Sequence, residues 1–111
     1  VIESYRNSNR KGGGCMSIAI VGGLDRLKRA YEKMGADMGF DVKFFGQRVP
    51  NMSRRISGVD GIVIFTGTVA HPMVVEAVKA AREYRIPIER SHSSGVGGLQ
   101  RCLTALAHQN G

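Results

Sequence analysis

The chain has no tryptophan, only 6% aromatic residues, three prolines and two cysteines in 111 residues. Two cysteines, Cys15 and Cys102, far apart and outside any Cys/His run with zinc spacing, argue against both a disulfide framework and a structural zinc site. No apolar run approaches the roughly 18 residues of a membrane span, so a transmembrane protein is not expected. There is also no basic start leading into an apolar segment, and the expected compartment is therefore the cytoplasm. Catalytic patterns are missing as well. No Ser-His-Asp set or close carboxylate pair has recognisable spacing, which makes an enzyme the least favoured function class.

What remains is the composition of an ordinary folded domain, 42% apolar and 23% charged, at a length that suits one hydrophobic core. The net charge of +7 raises the question of nucleic acid. From Met16 onward, however, thirteen lysines and arginines share the surface with eight acids, among them Glu32, Asp37, Glu76 and Glu83. A mixed, solvated charge distribution of this kind makes a nucleic-acid partner an unlikely expectation.

Organisation changes at Met16. Residues 1–15 are polar, lack periodicity and contain Gly12, Gly13 and Gly14, so they read as a flexible leader, native or vector-derived. Residues 16–111 read as one α/β domain. Ile18 to Val21 form a continuous apolar run, as expected of a strand buried on both faces. Leu27, Tyr31, Met34 and Met38 follow at helical spacing, and Gly39 ends that helix. A second strand is expected at Val42 to Phe45, and Pro50 and Asn51 then lead into a short helical turn carrying Met52 and Ile56. Gly61 to Phe65 is a third strand. A helix from near Pro72 turns Val74, Ala77, Val78 and Ala81 inward, and a fourth strand starts at Ile86 to Ile88. Pro87 lacks a ladder donor and places that strand at a sheet edge. The last helix buries Leu99, Cys102, Leu103 and Leu106.

Strands alternating with helices imply right-handed crossovers and a four-stranded parallel sheet between two helical layers, in the flavodoxin-like order 2-1-3-4. Ligands of such sheets bind beyond the carboxyl ends of the strands where the order reverses. Three loops meet there. The first contains Gly22, Gly23 and Arg26, and it offers close backbone approach and free amides at a helix start. It lacks the third glycine of the dinucleotide fingerprint and the Lys-Ser/Thr of the nucleotide-binding P-loop. The second contains Thr66, Gly67 and His71. In the third, Arg90 and His92 continue the face of Ile86 and Ile88, and Ser93 and Ser94 add donors for an oxyanion.

Ser17 to Leu27, Tyr31, Gly39, Asp60 to Thr66, Val69-Ala70-His71, Ile86-Pro87, His92 to Val96 and Leu99 occur in an order and at intervals that resemble the bacterial family catalogued as domain of unknown function 2325. The resemblance spans essentially Met16 to Leu106. It implies a Rossmann-like or flavodoxin-like fold, singles out Gly22, Gly23, His71 and His92, and brings no established activity. Family members often have serine where this chain has Ala70, and some carry cysteine or histidine near Ser91, Ser94 and Gly97. A thiolate-metal site is thereby weakened.

The leading expectation is a non-catalytic module that binds a small anionic or phosphorylated ligand through Gly22, Gly23, Arg26, Thr66, Gly67, His71, His92, Ser93 and Ser94. The alternative is a transition metal or haem held by His71 and His92, completed by Tyr31 or by a second subunit. A homodimer is expected, formed through the fourth strand or the final helix.

Overall fold

The computed structural model describes residues 16–110. The expected leader at residues 1–15 therefore lies outside the described residues. Ile18, Ala19, Ile20 and Val21 are wholly buried in β1 (Met16–Val21), whose alternate side chains enter two different cores. A short 3-10 turn (Asp25–Leu27) leads into α1 (Lys28–Asp37), and Gly39, with φ of +86°, reverses the chain into β2 (Phe40–Phe45). Next come α2 (Met52–Ile56), β3 (Gly61–Phe65), α3 (His71–Tyr84), β4 (Ile88–Ser91) and α4 (Val96–Asn110).

All strand pairs are parallel, and the order is β2-β1-β3-β4. This is the single three-layer, flavodoxin-like α/β arrangement. On one face α1 and α4 cover Ile18, Ile20, Val63 and Phe65 with Tyr31, Leu99, Leu103 and Leu106. On the other, α2 and α3 cover Ala19, Val21, Ile62 and Ile64 with Met52, Ile56, Met73 and Ala77. Each fully buried aliphatic side chain contributes about 1.5–3 kcal/mol of transfer free energy, so these two layers are the main source of stability. No helix among the described residues is long and apolar enough to cross a membrane.

Three local expectations shift. β2 begins at Phe40, because Phe40 and Asp41 pair with Met16 and Ser17. In α3 the deepest positions are Met73, Ala77, Ala80 and Ala81, and Val74 and Val78 flank them half-buried. Alanines let the helix axis approach the sheet, and Met73 fills the remaining space. β4 begins after Pro87, whose carbonyl still accepts the Ile62 N–H at 2.9 Å. Proline thus sits just outside the ladder of an edge strand, where its missing donor costs nothing.

Candidate functional site

At the carboxyl end of β1 the chain turns on Gly22 and Gly23, with φ of +90° and +95°. A Cβ at Gly22 would lie 2.8 Å from Val69 Cβ, and one at Gly23 would lie 3.0 Å from the Phe65 ring, so both conformation and space demand glycine. The turn is thereby pressed against the β3–α3 loop. Its amides do not stand open as the sequence suggested. Gly22 N–H donates to Phe45 O (2.9 Å), Gly23 N–H to Thr68 Oγ1 (2.9 Å) and Leu24 N–H to the Tyr31 hydroxyl (3.1 Å).

Tyr31 ties the rim together. Its ring is wholly buried between Phe44 and Phe65, at centroid distances of 5.7 and 5.3 Å, and its hydroxyl donates to Ser94 O at 2.6 Å. A polar tip at the end of an apolar body suits this position, because the loops it joins have main-chain groups that need partners. A second tie crosses at the surface. Thr68 Oγ1 and Ser94 Oγ lie 2.6 Å apart, and either can be the donor. The pair uses one of its two hydroxyl protons and leaves the other for an incoming oxygen.

The remaining candidates surround these ties. Thr66 N–H continues the β3–β4 ladder to Ser91 O (2.9 Å), and its hydroxyl reaches the same carbonyl at 3.5 Å. Gly67 packs on the β4 loop so closely that a Cβ would lie 2.6 Å from His92 O and 3.7 Å from His92 Nδ1. His92 is exposed. His71 is also exposed and is the first residue of α3, behind Ala70, which supplies no side-chain cap. Ser93 O accepts the hydroxyl of buried Ser91 (2.7 Å), and Ser93 Oγ accepts Gly95 N–H (3.3 Å). Arg26 is exposed on the 3-10 turn, whose start likewise lacks a side-chain cap. Asp25, the acid of this loop, is turned toward Gly46.

The structure therefore gathers the three loops onto one rim, with Gly23, Thr68 and Ser94 in direct contact and His92 beside Gly67. No group of three or more His, Cys, Asp or Glu side chains among the described residues is placed to hold a metal ion. A metal on His71 or His92 would need further ligands from elsewhere. Sequence reasoning passed over Thr68, Ser91 and the role of the Tyr31 hydroxyl, although an isolated Tyr on an otherwise apolar helix face is a readable signal of a buried polar partner. A shallow depression of about 660 Å³ lined by Val75, Val78, Lys79, Arg82 and Glu83 lies on the outer side of α3. No loops converge on that helix surface, so the rim is the better candidate site.

The family model described as an uncharacterized protein conserved in bacteria (DUF2325) matches residues 17–106. The chain belongs to the DUF2325 family. The match covers all four strands apart from Met16 and all four helices except the last residues of α4, so the rim of this DUF2325 protein lies wholly inside it. No curated protein and no solved structure matches the chain.

Proposed function

We propose that the protein is a non-catalytic binding module for a small anionic or phosphorylated ligand, held at the carboxyl rim between β1 and β3. The observation that supports this reading most is the junction of two uncapped helix starts, at Asp25 and His71, across loops that Tyr31, Thr68 and Ser94 already hold together. The first amides of a helix carry the positive end of its dipole; Leu27 N–H is bonded to Leu24 O, Met73 N–H to Ala70 O, and Pro72 has none, so the amides that favour an anion here are those of Asp25, Arg26 and His71. Internal bonding at Gly22, Gly23 and Leu24 moves the expected contact from those amides to the start of the 3-10 turn and of α3. Arg26 supplies permanent charge, His71 and His92 supply exposed imidazole N–H donors, and the spare hydroxyl proton of the Thr68–Ser94 pair supplies a neutral donor. Because these ties are internal to the chain, little ordering entropy is left to be lost on binding.

Inorganic phosphate is the simplest probe. Thermal melts in rising phosphate, at ionic strength held constant with chloride, should show a saturable increase in Tm that is reduced in Arg26→Ala and in His92→Ala. An increase that is linear and equal in all three proteins is general salting and removes the basis of the reading.

A further inference from the structure

β2 is the outer strand of the sheet, and among the described residues nothing pairs with its far side. Two bonds fix the direction of its main-chain groups: Gly39 O accepts Met16 N–H (3.1 Å), and Phe45 O accepts Gly22 N–H (2.9 Å). Since hydrogen-bonding direction alternates along a strand, Asp41, Lys43 and Phe45 face β1, and Phe40, Val42 and Phe44 turn their N–H and C=O groups outward. The side chains alternate too. Asp41 and Lys43 are exposed, whereas Phe40, Val42 and Phe44 pack into the core beneath α1.

We propose that a second copy of this chain pairs with β2 in antiparallel fashion, about a two-fold axis through Val42. In that register Val42 meets Val42, and Phe40 meets Phe44, as hydrogen-bonded pairs that extend the apolar face from one copy to the other. Asp41 of each copy meets Lys43 of the other as a non-hydrogen-bonded pair, the class with the closer side chains. Moving the axis to Asp41 or to Lys43 sets like charges opposite each other, so charge favours the Val42 register over its two neighbours, and it is also the register that pairs every residue of β2 except Phe45. Arg55 lines a depression of about 370 Å³ together with Lys43, Phe44 and Phe45, and adds positive charge where the incoming Asp41 arrives. The contact is isologous and closes on itself, giving a dimer with one eight-stranded sheet rather than a filament. β4, the opposite edge, is four residues long against six in β2 and is entered from Pro87, which makes it the poorer template.

Sedimentation velocity over a concentration series tests the pairing. The wild-type chain sediments as a dimer, Asp41→Lys and Lys43→Asp each weaken dimerisation by roughly tenfold or more, and the double reversal D41K/K43D restores it. Circular dichroism melts establish that each variant is folded, and exchange of the outward Val42 amide slows as wild-type concentration rises. A wild-type monomer throughout the series overturns the proposal. So does a dimer that both single reversals leave intact, or a double variant that stays as weak as the singles.

Discussion

The two ends of the sheet are closed by different means. At the amino end the strands are stapled by main-chain bonds and one carboxylate: Asp60 N–H donates to Ser17 O (2.7 Å), Ser17 N–H to Asp60 Oδ2 (2.8 Å) and Ile62 N–H to Pro87 O (2.9 Å). The carboxyl end has such main-chain bonds too, Gly22 N–H to Phe45 O and Thr66 N–H to Ser91 O, but adds ties between loops that run through rotatable hydroxyls, those of Tyr31, Thr68 and Ser94. The first arrangement holds strands in place. The second holds loops in place and still presents donors that can exchange one oxygen for another.

The sharpest way to break this comparison is at the glycines. Gly22→Ala combines a strained φ with a clash against Val69 and should lower stability by about 3 kcal/mol in denaturant unfolding. Gly39→Ala, at the other end, carries the strain with nothing within 4 Å of the new methyl, so about 1 kcal/mol is expected. Equal losses would mean that the packing of the β1 turn on Val69 is not a constraint.

A smaller effect separates stability from binding. Tyr31→Phe leaves Leu24 N–H and Ser94 O without their shared partner and should cost about 2 kcal/mol, with loss of the phosphate-dependent rise in Tm. Asp60→Ala removes the amino-end staple at a cost of about 1–2 kcal/mol and should leave that rise intact. If both variants behave alike toward phosphate, the division of labour between the two ends is wrong.

Smallest of all is a pH effect beneath α4. Burial, reinforced by Glu89 and opposed by Arg101, raises the Cys102 thiol above its ordinary pKa. The unfolded chain therefore ionises this thiol first. Its stabilising contribution is complete below the ordinary thiol pKa and is lost as pH rises through the folded value. Replacing Cys102 with Ala should flatten the stability curve on the alkaline side only.

Much of the fold was legible because a doubly covered parallel strand must be apolar on both faces, and Ile18–Val21 and Gly61–Phe65 show this without ambiguity. The inner face of α3 was only partly legible, since alanines at positions 77, 80 and 81 carry a weak periodic signal beside the larger Val74 and Val78. For the rim, strand order placed three loops together before any contact was known. The bonds that join them link residues 45, 26 and 63 positions apart, and no local pattern encodes such pairings. Consequently the sequence suggested open amides at Gly22 and Gly23, where the folded chain has already supplied their acceptors.

The central claim, that the carboxyl rim is an anion site, is tested most directly by following backbone amide resonances during titration with inorganic phosphate. The account predicts saturable shifts clustered at Asp25, Arg26, Gly67, His71 and Ser94, with Gly39, Asp60 and Gly61 at the opposite end unmoved. Shifts that cluster elsewhere, or a rim that does not respond at saturating phosphate, would contradict it.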